Sequence, residues 1–277
     1  MYDKYQEVAL KSRLGIPLIY GVDAVHGHNN VIGATIFPHN VGLGCANDYE
    51  LCRKVSEATA IEVAATGINW NFSPCIAIPQ DEKWGRHYEG YSENVDIVSE
   101  MGEASIIGYQ TTELGSSNHS IVACAKHFIA DGATIWGTGM GNQSDKIDRG
   151  NAPISDSLIR AKYLLPYQKA IDAGVKFIEI DIQFSKDKLP IICHDDHLNR
   201  LGGIKNFLIK ERNQSEIIKQ PAHEPQRFGD RYIGEKISPL EAIIPLLVLH
   251  PEITIFIEIK EETIKKDDFK KVSSDLI

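Results

Sequence analysis

No stretch of this 277-residue chain is apolar for long enough to cross a bilayer. The N-terminus, MYDKYQEVALKSRLG, is amphipathic and polar, and it lacks the apolar core of a signal peptide. As it stands, the chain is expected in the cytoplasm. Positive charge is in deficit. Lys and Arg number 29 against 38 Asp and Glu, a formal net charge of −9. An acidic surface repels phosphate backbones, so nucleic acid is not an expected partner. Cysteine is sparse. Cys45, Cys52, Cys75, Cys124 and Cys193 form no CxxC pair, and their odd number argues against a disulfide scaffold. They are expected as small core residues in a reducing compartment, with no metal role. No linker rich in Pro, Gly or Ser divides the chain. Nothing suggests disorder or a fibrous repeat. The balance, 43% hydrophobic and 24% charged, is globular and suits one large domain or two small ones.

Apolar runs that read as strands alternate with helical spacing. Residues 16–23, INWNFSPCIAI, IVACAKHFIAD, KFIEIDIQF, KDKLPIICHD and TIFIEIK are the predicted strands. Residues 24–46 read as a loop. Asn47 and Glu50 offer a capping box for a helix that ends at Gly67. A second helix follows Ser92 or Asn94. A third spans 155–173, bent at Pro166, with Gly174 at its C′ position. Residues 199–236 are polar and are expected to wrap the outside. Ser238-Pro239-Leu240-Glu241 predicts a further helix start, and the tail from Glu261 is charged and helix-prone. Strands separated by helices imply a parallel sheet. About six strands fall short of the eight of a closed (β/α)₈ barrel. The expectation is an α/β fold of TIM-barrel-derived units, an incomplete or chimeric barrel.

In parallel α/β folds chemistry sits at the C-terminal strand ends. Asp23 ends the first strand, and Arg86 lies in the loop after the second. Lys126 and His127 lie on the third, with Asp131 just beyond. Carboxylates and amines bond hydroxyls, and Trp84, Tyr88 and Trp136 offer ring faces, which together suit a sugar. A structural salt-bridge network would use the same residue types. RLGIPLIYGVDAVHGHNNVIGATIFPHNVGLG, GINWNFSPCIAIPQDEKWGRHYEGYSE and ACAKHFIADGAT resemble the N-terminal barrel of family 3 glycoside hydrolases, the β-glucosidase and exo-glucanase type. The resemblance runs from near the start to about Val175. It implies a pocket for one glucose, with Asp23, Arg86, Lys126 and His127 at substrate-binding positions and no cofactor. It also implies a nucleophile in a Ser-Asp-Trp-like motif and an acid/base from a second domain, and neither is seen in this sequence.

Glu179 and Asp181 stand two apart on one strand and so share a face, and Glu258 and Lys260 repeat the spacing. His194 and Asp195 end the strand between. Three carboxylates at strand ends suit Mg²⁺ or Ca²⁺, and inward acids paired with lysines would look the same. AIDAGVKFIEIDIQFSKDKLPIICHDDHLNRLGG and RFGDRYIGEKISPLEAI resemble the glycerophosphodiester phosphodiesterase family, as does ITIFIEIKEE. That resemblance, over roughly Ala170 to Lys265, implies Glu179, Asp181 and Glu258 as metal ligands. It makes His194 a catalytic histidine and Lys260 a phosphate contact. The family's opening His-Arg-Gly strand, with its second histidine, has no match here.

Two pieces are therefore expected, 1–175 of the glycosidase type and 176–277 of the phosphodiesterase type. The expected ligands are small molecules: glucose or a β-glucoside, and a glycerophosphodiester. Exposed sheet edges invite self-association. Asp195 is a candidate stand-in for the glycosidase nucleophile.

Overall fold

The computed structural model describes residues 2–13, 15–111, 114–139, 146–148, 150–175, 177–251 and 253–260. The chain forms two compact units, Met1–Val175 and Lys176–Ile277.

The first unit opens with helix α1 (Tyr2–Leu10) and the short strand β1 (Gly21–Val22). Helix α2 (Asn40–Ala46) then falls inside the stretch expected to be loop, and α3 (Tyr49–Ala65) follows at once. Asn47, expected as an N-cap, instead closes α2 in a left-handed conformation at φ 49°. Asparagine tolerates that conformation better than most residues. The cap of α3 is its neighbour Asp48, whose carboxylate accepts from the Leu51 N–H at 2.9 Å. Strand β2 (Trp70–Asn71), helix α4 (Val95–Gln110) and strand β3 (Val122–Ala123) complete the pattern. Asn94 caps α4, accepting from the amides of Asp96 and Ile97, one of the two starts predicted.

Strands β1, β2 and β3 pair in parallel in that order. Each is far shorter than its predicted run. The ladder goes on as separate bonds, Phe72 N–H to Val22 at 2.9 Å and Ile76 N–H to Lys126 at 2.8 Å. Pro74 has no N–H to give and interrupts it.

Helices α3 and α4 pack through small residues. Ser105 lies against Ser56 at 3.0 Å and Cys52 at 3.3 Å, and Gly108 faces the Arg53 carbonyl. Ile76, Ile78, Val98, Met101, Ile106 and Ile121 fill the core beside them. The predicted helix over 155–173 is broken into α5 (Asp156–Leu158), a π-helical turn (Ile159–Tyr163) and α6 (Leu165–Asp172). The interruption falls just before Pro166, which sits in the first turn of α6, where its missing N–H costs nothing. Gly174, at φ 100°, ends it.

The second unit carries β4 (Phe177–Phe184), β5 (Pro190–Ile192), α7 (Asn199–Gly202), α8 (Gln214–Ile217), α9 (Pro225–Phe228), α10 (Ile244–Leu249) and β6 (Thr254–Ile259). Its sheet order is β5-β4-β6. Strand β6 is parallel to β4, but β5 is antiparallel, against the all-parallel expectation. The turn between β4 and β5 closes with Ser185 N–H to Leu189 at 3.0 Å. It is far too short for the crossover that parallel pairing needs. Residues 199–236 do not merely wrap the outside. From this stretch Ile209 and Ile217 are fully buried, and with Ile191 and Leu198 they form a core of their own. The start expected at Ser238 begins as a 3₁₀ turn, Leu240–Ile243, with Pro239 at its cap. The tail from Glu261 lies outside the described residues. Among the described residues no helix is long and apolar enough to cross a membrane.

The α3–α4 contact gives a direct test. A Cβ on Gly108 would meet the Arg53 carbonyl oxygen at 2.4 Å and the Ser56 Cβ at 2.7 Å. Gly108→Ala is expected to cost roughly 1–3 kcal/mol in urea unfolding. Gly85 has nothing within 4 Å of such a carbon, so Gly85→Ala should stay within about 0.5 kcal/mol of the parent. Equal unfolding midpoints for the two variants would contradict this packing.

Candidate functional site

Two clusters of polar side chains form, one in each unit.

In the first unit, Asn71 is fully buried and clamps the backbone beside Asp23. Its side chain accepts from the Ala24 N–H at 2.9 Å and donates to the Ala24 carbonyl at 3.0 Å. Asp23 thus leaves the end of β1 in a fixed place. Its carboxylate meets the Lys126 ammonium at 2.6 Å across 103 residues of sequence. Lys126 is set by its bridge to Cys75, beyond the end of β3.

The next residue, His127, carries a second pair. Its Nε2 lies 2.8 Å from the Arg86 guanidinium and its Nδ1 3.1 Å from the Asp131 carboxylate. A guanidinium can only donate, so Nε2 accepts and Nδ1 carries the hydrogen to Asp131. Glu89 grips Arg86 through two bonds of 2.8 Å. These bonds, against the opposing cost of burial, hold the guanidinium firmly charged. The second carboxylate oxygen of Asp131 is buried without a hydrogen-bond partner.

All four expected sugar-binding residues are therefore brought into two ion-paired sets joined by the Lys126–His127 peptide. Of the three expected aromatic faces, Trp84 is not available. It is 3% exposed among Cys75, Ala77 and Ile147, with its N–H on Asp148 at 3.1 Å. Its bulk serves the core. Trp136 and Tyr88 are exposed, Trp136 beneath Lys83 and Tyr88 edge-on to His39. Burial pushes the Cys75 thiol up to about 12, so it is no nucleophile at neutral pH.

In the second unit, the alternation of β4 puts Glu179, Asp181 and Gln183 on one face and Ile182 and Phe184 on the other. The parallel register sets Asp181 opposite Glu258 and Glu179 opposite Phe256. The three carboxylates Glu179, Asp181 and Glu258 offer oxygens within 4.8 Å of one another. Lys260 bonds Asp181 at 2.8 Å and also reaches Glu258. One ammonium is set against three acids. The Glu179 carboxyl is pushed up to about 7, first by burial and then by repulsion from Asp181 and Glu258. One of its oxygens is buried with no hydrogen-bond partner. An unpaired buried oxygen in a surplus of carboxylates fits a hard divalent cation.

His194 follows β5 and is more than half exposed, with Nδ1 2.9 Å from Asp195. Asp195 is in turn held by Arg200 at 2.9 Å. Both its oxygens are thus engaged, one by His194 and one by Arg200.

Sequence reasoning missed Asn71, Glu89, Gln183, Arg200 and Glu224. Glu89 had a readable signal, three residues beyond Arg86 on a turn. Arg200 and Glu224 meet across 24 residues with no periodic trace.

Residues 1–195 match the model of the glycosyl hydrolase family 3 N terminal domain, and residues 164–276 match that of the glycerophosphoryl diester phosphodiesterase family. The first region is 34% identical over 175 residues to the lysosomal beta glucosidase of Dictyostelium discoideum, covering 60% of this chain and 20% of that protein. It is 31% identical over 168 residues to the periplasmic beta-glucosidase of Salmonella typhimurium, covering 61% of this chain and 20% of that one. The chain thus spans about a fifth of the length of these curated relatives. Among solved structures, an exo-1,3/1,4-beta-glucanase from a Pseudoalteromonas species is similar at 40% identity and a TM-score of 0.58, covering 64% of this chain and 22% of that one. The beta-glucosidase of Listeria innocua in complex with glucose is similar at 34% identity and a TM-score of 0.54, covering 63% and 23%. With a family match over more than half its length, the chain belongs to glycosyl hydrolase family 3 through that family's N-terminal domain.

Proposed function

We propose that residues 1–175 form a sugar pocket that takes glucose or the glucose unit of a β-glucoside, with Asp23, Arg86, Lys126 and His127 as its hydroxyl partners. The contact of Asp23 with Lys126 at 2.6 Å carries this assignment, because it closes the cluster between the first and last strands of the sheet. The likeness to a beta-glucosidase solved with glucose supports it. Retaining hydrolysis of an O-glycosyl bond needs two working carboxylates about 5–5.5 Å apart. Here Asp23, Asp131 and Glu89 are each committed to a base. We therefore assign them to binding and positioning, and the nucleophile and acid/base to none of them. Both units are read as fragments of (β/α)₈ barrels, joined at about residue 175. Self-association through their sheet edges belongs to the same proposal.

A second reading rests on the orphaned oxygen of Glu179. Glu179, Asp181 and Glu258 would hold Mg²⁺ or Ca²⁺. Such an ion supplies charge stabilisation at a phosphoryl oxygen. Lys260 would pair with the phosphodiester anion, and His194 would move a proton at its ring nitrogen. The substrate class is a glycerophosphodiester.

Each reading has its own test. All three tryptophans, Trp70, Trp84 and Trp136, lie in the first unit, so their fluorescence reports its unfolding alone. Glucose at about ten times its Kd is expected to stabilise that unit by about 1.4 kcal/mol. Asp23→Ala should abolish the gain. An unchanged midpoint at every millimolar glucose concentration would overturn the sugar pocket.

For the second unit, the raised Glu179 carboxyl means that the folded state binds more protons than the unfolded chain between pH 4.5 and about 7. Stability is therefore full below pH 4.5 and falls as pH rises toward 7. The loss is at most about 3 kcal/mol by the shift alone. Solvent screening of the half-exposed group brings it nearer to about 1–2 kcal/mol. Glu179→Gln should raise stability at pH 8 by that amount, read by hydrogen exchange of the β4 amides. In calorimetry the same variant should lose magnesium and calcium binding. Unchanged metal affinity would sink the metal assignment.

Sheet-edge association predicts a dimer or larger species in sedimentation. A monodisperse monomer would contradict it.

A further inference from the structure

We propose that Asp195, clamped by Arg200 and Glu224, is a positioning residue that fixes the His194 ring with its hydrogen on Nδ1 and so presents Nε2 as the basic nitrogen. What His194 does with that nitrogen rests on the phosphodiester reading above; the tautomer itself does not.

The four side chains come from three places in the fold. His194 and Asp195 follow β5, Arg200 lies on α7, and Glu224 immediately precedes α9. Exposure falls steeply along the row. The His194 side chain is 57% exposed and that of Asp195 14%. Arg200 and Glu224 are similarly covered. Only the histidine faces solvent, and everything behind it is fixed.

The contacts are directional. Arg200 grips Asp195 as a fork, Nε to one oxygen at 2.9 Å and the terminal nitrogen to the other at 3.2 Å. The remaining terminal nitrogen of Arg200 bonds Glu224. The guanidinium thus has a carboxylate on each side and no freedom to turn. Glu224 is itself anchored, its N–H donating to the Leu201 carbonyl at 2.8 Å.

The backbone that carries the histidine is pinned as well. Gln183 donates to the His194 carbonyl at 2.9 Å, and the Cys193 thiol donates to the Asp195 carbonyl at 3.1 Å. The latter thiol is buried and pushed up to about 12, so it stays a donor.

Burial works to raise the Asp195 carboxyl, but the bonds and charge of Arg200, with those of His194, outweigh it and hold it below its usual range. An ionised carboxylate can only accept. The bond of 2.9 Å between its oxygen and His194 Nδ1 therefore needs a hydrogen on Nδ1. In a neutral ring this leaves the lone pair on Nε2. A carboxylate behind an imidazole is a known means of choosing the tautomer and orientation of a working histidine.

The test is ¹⁵N NMR of histidine-labelled full-length protein, at a pH where the ring is neutral. Two-bond proton–nitrogen correlations distinguish the tautomers. The parent should show His194 with Nδ1–H in about tenfold or greater excess, as a charge-assisted hydrogen bond implies. Asp195→Asn keeps the shape but offers an N–H to Nδ1, so the excess should vanish or reverse. Asp195→Glu should restore part of it. Hydrogen exchange on β4 and β5 confirms that each variant is folded. A parent spectrum with Nε2–H dominant, or with the two forms equal, overturns the proposal whatever the variants do. So does a folded Asp195→Asn protein whose His194 spectrum is unchanged. Turnover of a glycerophosphodiester with magnesium, measured separately, addresses the phosphodiester reading. Its failure would leave the tautomer result standing.

Discussion

Parallel pairing of strands, which delivers their C-terminal ends to one side, is the constraint on which both clusters depend. In the first unit β1, β2 and β3 run the same way. Asp23 therefore leaves the sheet where Lys126 arrives, although 103 residues separate them. In the second, β4 and β6 are parallel and in register, so Asp181 has no choice but to face Glu258. A slip of one residue in either strand would turn its carboxylate to the face opposite its partner's. The buried alternation Ile182 and Phe184, packed on Ile259 and Leu240, is what forbids the slip.

The two clusters solve the same electrostatic problem in different ways. The first alternates acid and base, Asp23 with Lys126 and Glu89 with Arg86, then His127 with Asp131. Such a row is close to neutral and offers donors and acceptors at fixed spacing, which suits a ligand made of hydroxyls. The second concentrates acids beyond what Lys260 can balance. It meets the surplus by holding the proton of Glu179 more tightly. A divalent cation would relieve the same repulsion, so metal binding there would compete with protonation of that carboxylate.

Much of this was legible in the sequence, and the losses are physical. The period-2 spacing of Glu179, Asp181, Glu258 and Lys260 read correctly as one face, because strand geometry leaves no alternative. Strand lengths in the first unit did not read correctly. Predicted runs of eight or more residues became ladders of two, with Pro74 interrupting the hydrogen bonding and a separate bridge at Cys75 resuming it. Residues 199–236 looked like a polar surface wrap because Ile209 and Ile217 are scattered among charges, and only the tertiary fold gathers them. The direction of β5 depends on a turn of a few residues that strand propensity does not specify. Arg200 and Glu224 were out of reach for a related reason. Ion pairs across two dozen residues leave no local signal, whereas Arg86 and Glu89, on one turn, do.

Two separate clusters on two units, one for a sugar and one for a cation, are the central claim. Residue-resolved amide NMR of the full chain, titrated with glucose and then with magnesium, tests it most directly. Glucose is predicted to shift the amides of Asp23, Arg86, Lys126, His127 and their neighbours and to leave β4 and β6 unmoved. Magnesium is predicted to do the reverse, at Glu179, Asp181 and Glu258. Glucose shifts scattered over both units, or magnesium shifts centred on the Asp23 cluster, would contradict the account.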